Sequence, residues 1–280
     1  MCRLFGLSAA PHRVHASFWL LEAPDSLVAQ SRRNPDGTGL AYFERHGGPV
    51  LDKEPLPAYA DGAFRREARH VSSTTFVSHI RFATTGARTV ENTHPFAMDG
   101  RVFAHNGVVE GLDLLERRLG DELALVRGET DSERLFALVT KEIRASDDVG
   151  AGIAAAVRWA AAELPLNSLN FVLATRDELW ALRYPDTHRL YVLERPAGGR
   201  HGGRALHHAS ATFRVHVPHL ALHPTVVVAS EPLDDSPDWR LLASGELVHV
   251  AGDLAVTSEL VVDSPPAHPI DHDGPTEAAT

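Results

Sequence analysis

Cys2 is the single cysteine of the chain and follows Met1 directly. Methionine is ordinarily trimmed before a residue as small as cysteine, and the thiol then shares its residue with a free α-amine. An α-amine has a pKa of about 7.7–8.0, so a useful fraction is neutral at physiological pH and can take a proton from the thiol. Nucleophile and base would then be one residue, the economy known for N-terminal threonine. The same residue type also serves as a small side chain packed on a first strand, and residue type alone does not choose between the two.

Four further positions carry chemistry-bearing groups. Arg81 closes a β-like run; its planar fork suits bidentate binding of a carboxylate, and equally suits a surface ion pair. Asn106-Gly107 is a common hairpin dipeptide, and it also places a carboxamide NH2 beside a backbone N–H that no side chain shields. Asp131 follows Thr130, a helix N-cap residue, so its carboxylate is favoured by the helix dipole whatever else it does. Asn34-Pro35-Asp36-Gly37-Thr38-Gly39 is rich in turn formers and lacks the lysine and spacing of a phosphate loop. The 17 histidines invite a metal reading, above all His201, His207, His208, His216, His219 and His223. Pro218 and Pro224 argue against a helix that would align His219 with His223, and neither a cysteine pair nor an HExxH pattern is present, so no metal is expected.

Taken together, MCRLFG at 1–6, NPDGTGLAYF at 34–43, HIRFATTG at 79–86, ENTHPF at 91–96, AHNG at 104–107 and GETDSE at 128–133 resemble the class II glutamine amidotransferase domains, especially the stand-alone branch. The stretch Val228-Ala229-Ser230-Glu231-Pro232 is similar as well. The resemblance implies an α+β fold, the four-layer αββα sandwich of the N-terminal nucleophile hydrolases. It implies hydrolysis of glutamine or another γ-glutamyl amide through a Cys2 thioester, without a cofactor. By the same resemblance Asn106 and Gly107 form the oxyanion hole, Arg81 binds the substrate α-carboxylate, Asp131 binds the α-ammonium, and Thr84 and Thr85 join the substrate-binding set. Two positions depart from the better-known members: Phe82 stands where they have tryptophan and Thr85 where they have histidine. Specificity is therefore less transferable than mechanism. The implied partner is a separate synthase that accepts ammonia. Alternatives are a γ-glutamyl hydrolase acting on a larger biosynthetic metabolite, and a catalytically idle glutamine sensor.

Composition limits what can surround such a site. The 280 residues carry 27 Lys plus Arg against 37 Asp plus Glu, a formal charge of −10, which is the wrong sign for nucleic acid or an anionic membrane surface. One thiol cannot form an internal disulfide, and no apolar run reaches the roughly 18–20 residues of a membrane span. A cytoplasmic protein is expected. No linker divides the chain, so residues 2–263 are expected to form one domain and the proline-rich stretch 264–280 a disordered tail.

The elements that must hold the site follow from periodicity. Strands are predicted at 4–8, 39–45, 75–82, 102–104, 169–175, 179–184, 190–194, 226–230 and 246–250. The runs 171–174 and 226–229 are continuously apolar, which predicts a sheet covered on both faces. Helices are predicted over 112–121, over 131–146, with Thr130 and Glu133 forming a capping box, and over 151–164. The glycine-rich segment 195–204 reads as a mobile loop.

Overall fold

The computed structural model describes residues 2–82, 87–198, 206–210, 213–217 and 222–270. Among them one sheet has seven strands: β1 (Arg3–Ser8), β2 (Gly37–Phe43), β3 (Pro49–Glu54), β4 (Thr75–Arg81), β10 (Tyr191–Arg195), β13 (Thr225–Ala229) and β14 (Arg240–Leu241), in the order β14-β10-β13-β1-β4-β2-β3. A second sheet has six: β5 (Phe96–Met98), β6 (Arg101–Asn106), β8 (Asn170–Ala174), β9 (Leu179–Arg183), β15 (Glu246–Val250) and β16 (Val256–Leu260), in the order β16-β15-β9-β8-β6-β5. All ladders within these two sheets are antiparallel. Two small ribbons complete the set, β7 (Pro165–Leu166) with β17 (His268–Pro269), and β11 (Leu206–Ser210) with β12 (Phe213–Val217).

The period-2 alternation of each strand divides the apolar side chains among three cores. Leu4, Val77, Val226 and Val228 meet Val172, Ala174, Ala181 and Val248 between the sheets. Phe5, Leu7, Phe76 and Val227 point the other way, against Phe18, Trp19, Leu27 and Phe64 from a π-helical turn (Phe18–Glu22), α1 (Leu27–Gln30) and α2 (Gly62–His70). On the far side, Phe103, Phe171 and Leu173 pack under α3 (Leu112–Leu119), α4 (Asp131–Ser146) and α5 (Val149–Glu163). The result is the expected four-layer αββα sandwich, and the apolar runs at 171–174 and 226–229 are covered on both faces because each residue alternates between two cores.

Several local expectations are revised. The capping box of α4 is half formed: Thr130 Oγ1 accepts from Glu133 N at 3.2 Å, but the Glu133 carboxylate accepts from Gly128 N at 2.6 Å and not from its own cap residue. The preceding loop is drawn toward Asn92, whose Oδ1 accepts from Glu129 N at 2.8 Å, and this turns the Gly128 N–H toward the carboxylate. Ser264–Ile270 do not belong to a disordered tail. Ala267 N donates to Ala161 O, Ile270 N to Leu166 O and Tyr184 Oη to Ser264 O, so backbone pairing holds a segment whose side chains alone would not. Residues 271–280, and most of the expected loop at 195–204, lie outside the described residues.

Candidate active site

The site lies where β1 begins and β4 and β6 end. Backbone register sets this: β1 pairs Arg3 with Ile80 of β4, and β2 pairs Gly37 with Arg81, so Cys2, Arg81 and the 34–39 segment share one end of the seven-stranded sheet. Gly39 is obligatory there, because a Cβ would lie 2.0 Å from the carbonyl oxygen of His94. Asp36 N donates to Arg81 O at 3.2 Å, and the buried Asp36 carboxylate meets Arg88 at 2.7 Å. The turn-rich segment thus supports the end of β4.

The Cys2 thiol is clasped by one residue. Phe82 N donates to Sγ at 3.1 Å, and the thiol donates to Phe82 O at 3.3 Å. Burial pushes the thiol pKa up, partly offset by the Phe82 N–H and by the charges of Arg81 and Arg3. A thiol in this setting is protonated at neutral pH, so attack on a carbonyl needs a base at that moment.

Asn106 joins the two sheets. Its Nδ2 donates to Cys2 O at 2.7 Å and to Ser230 Oγ at 3.1 Å, while its Oδ1 faces His79 Nε2 at 3.0 Å. Cys2 O can only accept, which fixes the NH2 toward it. The oxygen therefore faces His79, so His79 Nε2–H must donate. Both Asn106 amide protons are engaged here, and an oxyanion would have to share one of them. Asn106-Gly107 is not a hairpin: β6 pairs with β5 and β8, and beyond Gly107 the chain runs on to α3. Gly107 is required because a Cβ would lie 1.8 Å from Ser168 O.

Asp131 is the first residue of α4 and is buried. Its Oδ2 accepts from Val109 N at 2.8 Å, tying it to the loop after Gly107; Oδ1 has only a long contact of 3.4 Å from Ser132 Oγ. That oxygen keeps capacity for a cation. Arg81 is buried, with Nη1 donating to Ala87 O at 3.0 Å. Burial lowers its pKa, opposed by Cys2 and Asp36. Thr84 and Thr85 lie outside the described residues, as do His201 and His219.

Three buried histidines surround these groups. Burial lowers the pKa of His79 to about 3, against the raising effect of its Asn106 hydrogen bond. His94, whose ring centroid lies 4.3 Å from that of His79, is held well below the ordinary value by burial and by His79. His105 is lowered by burial despite Asp131. All three are neutral at pH 7. Ser230 and the Phe82 backbone were assigned no role from sequence. The 228–232 resemblance pointed at the former; the latter acts through atoms that every residue has.

The family model for class II glutamine amidotransferases matches residues 1–270. The chain is 28% identical to the gamma-glutamyl-hercynylcysteine sulfoxide hydrolase of Mycolicibacterium smegmatis, covering 93% of this chain and 100% of that one. It is 32% identical to the probable glutamine amidotransferase DUG3 of Saccharomyces cerevisiae over 41% of this chain and 36% of that one. Among solved structures, a glutamine aminotransferase class-II domain protein from Silicibacter pomeroyi aligns with a TM-score of 0.57 at 20% identity, covering 94% and 100% of the two chains. The glutamine phosphoribosylpyrophosphate amidotransferase of B. subtilis aligns with 0.64 at 17%, covering 94% of this chain and 50% of that one. At such identities the structures speak for the fold, that of the N-terminal nucleophile hydrolases, and the family match speaks for ancestry: this chain belongs to the class II glutamine amidotransferases.

Proposed function

We propose that the protein hydrolyses a γ-glutamyl amide through an N-terminal Cys2 thioester, with glutamine the simplest substrate. The observation that carries the reading is the convergence of a half-buried Cys2 thiol clasped by Phe82, the Asn106 carboxamide from the opposite sheet, and the neighbouring Arg81 cation. With Met1 removed, the α-amine takes the thiol proton as Sγ bonds to the amide carbon. The carbonyl becomes a tetrahedral oxyanion, stabilised by Asn106 Nδ2 and Gly107 N–H. The amine returns the proton to the leaving nitrogen as the C–N bond breaks; water then attacks the thioester, its proton goes to the amine, and glutamate leaves as the thiol reforms. Arg81 holds the α-carboxylate and Asp131 the α-ammonium, with Thr84 and Thr85 completing the pocket. Burial depresses the basicity of the three histidines, and His79 Nε2 is engaged with Asn106 Oδ1, which favours the amine as the base.

A leaving group larger than ammonia is the second reading. It is favoured by the match along 100% of the Mycolicibacterium hydrolase, whose name specifies a γ-glutamyl conjugate. Phe82, at 39% exposure, leaves a rim that a bulky amide can reach. A single thiol without a disulfide partner suits a reducing compartment, which supports a cytoplasmic reading; among the described residues no helix is long and apolar enough to cross a membrane.

The test is intact mass of the purified protein followed by glutamate release from glutamine and from several γ-glutamyl amides. Loss of Met1, release from at least one amide, and a single adduct of diazo-oxo-norleucine on Cys2 are expected. Full activity with Met1 retained would remove the amine from the mechanism.

A further inference from the structure

Ser230 stands just beyond β13, more than 120 residues from Asn106 in sequence, yet its hydroxyl oxygen accepts two hydrogen bonds at the site: from Asn106 Nδ2 at 3.1 Å and from Leu4 N at 2.9 Å. The β1–β13 ladder ends at Phe5 and Ala229. Beyond it the chains stay joined, because Ser230 N donates to Leu4 O at 3.2 Å and Glu231 meets Arg3 at 2.8 Å. Ser230-Glu231 therefore fastens the two residues after the nucleophile, and the hydroxyl carries that hold across to the carboxamide on the other sheet.

The Asn106 carboxamide has three hydrogen-bonding contacts: His79 on its oxygen, Cys2 O and Ser230 Oγ on its nitrogen. Cys2 O takes one amide proton and His79 faces the oxygen, and Ser230 Oγ takes the other proton, completing the set of contacts that holds the carboxamide plane. We propose that Ser230 is a positioning residue for the oxyanion donor, setting the plane of the Asn106 amide against Cys2. The inference rests on the functional reading above. A fixed donor is useful where charge develops, so removing Ser230 should affect the transition state more than substrate binding.

The experiment is a double-mutant cycle of Ser230→Ala and Asn106→Ala on the full chain, with Ser230→Thr as the variant that keeps a hydroxyl. Glutamate release is measured with the best γ-glutamyl amide, and iodoacetamide labelling reports Cys2 separately. Ser230→Ala is expected to lower kcat about tenfold, the rate equivalent of one hydrogen bond, with KM changed less than twofold and labelling unchanged. Ser230→Thr should recover most of the loss, and Ser230→Ala should cost nothing more when Asn106 is already alanine. The same fold-loss in both backgrounds, or a wild-type kcat in Ser230→Ala, overturns the assignment. A wild-type protein that releases glutamate from no γ-glutamyl amide overturns the functional reading and the assignment with it.

Discussion

The ends of β4 and β6 make a matched pair that the structure treats differently. Each carries a buried histidine just before a residue of the site, His79 two positions before Arg81 and His105 one before Asn106. His105 is satisfied at both nitrogens by its own side of the molecule: Nε2 donates to Ser168 O at 3.1 Å and Nδ1 accepts from Ser132 Oγ at 2.9 Å. His79 reaches across the seam to Asn106 through Nε2, and its Nδ1 has no hydrogen-bond partner among the described residues. His105 is thus held within its own layers, whereas His79 is fixed to the opposite sheet through the Asn106 carboxamide. Charge comes from the β4 side in Arg81, and neutral donors come from the β6 side.

The asymmetry can be broken in order of effect. Cys2→Ala should abolish turnover, by on the order of 10³-fold or more, without changing the melting temperature appreciably, since the Phe82 groups that contact Sγ are exposed and can turn to water. Glutamate release with a thermal melt on the same sample checks this. Asn106→Ala should lower kcat/KM by about 10²–10³-fold, because it removes an oxyanion donor and the link between the sheets together. It should also destabilise the fold, unlike Cys2→Ala, since His79 Nε2–H and Cys2 O lose their partner. Arg81→Lys should lower kcat/KM by about 10–100-fold, mainly through KM, since an ammonium cannot reproduce the fork; α-amidated glutamine should be equally poor with the wild-type enzyme. An unchanged KM would show that the carboxylate is held elsewhere.

Stability separates the two histidines more finely. His105→Ala removes two buried hydrogen bonds, those with the Ser132 hydroxyl and the Ser168 carbonyl, and His79→Ala removes one, that with the Asn106 carbonyl oxygen. Urea unfolding should therefore place His105→Ala about 1–2 kcal/mol below His79→Ala. His79 also contributes to the pH dependence of stability. Unfolded, His79 takes up a proton below about pH 6.5; folded, it stays neutral until about pH 3. Stability from this group is present above pH 6.5 and is lost as pH falls from there toward 3, at about 1.4 kcal/mol per pH unit. His79→Gln should make that limb of the urea midpoint against pH shallower, with His94 and His105 supplying the remainder, while leaving the acid limb of kcat/KM in place.

The parts of the site that were legible in the sequence are those whose chemistry resides in a side chain within a recurrent motif: Cys2, Arg81, Asn106 and Asp131. The central strands were legible too: β8 and β13 are buried on two faces and read as apolar runs, and β1 and β4 read as short segments of aliphatic and aromatic residues among polar ones. Edge strands β3 and β16 were not, because their residues are half-buried or exposed and mixed in polarity. The charged helix α2 was missed for a related reason: only Phe64 and Ala68 are buried. Glu133 had the spacing of a capping box, but a loop contact to Asn92 moved its partner, and spacing does not record that. Ser230 and Phe82 contribute an ordinary hydroxyl and a peptide unit, groups without a signature until the strands are assembled.

The placement of β1 between β4 and β13 also bears on how the chain is made. A ribosome delivers β1 long before β13, yet the contacts around the start of β1 are completed by residues near 230, so the segment beside the thiol receives its full surroundings late. Until β13 emerges, one edge of β1 is an unpaired, apolar ladder of the kind that recruits other strands, and closing a loop of over two hundred residues is slow. Chaperone protection during synthesis should therefore matter more for this protein than its final stability suggests, and nascent chains halted before Ser230 should aggregate while the released chain does not.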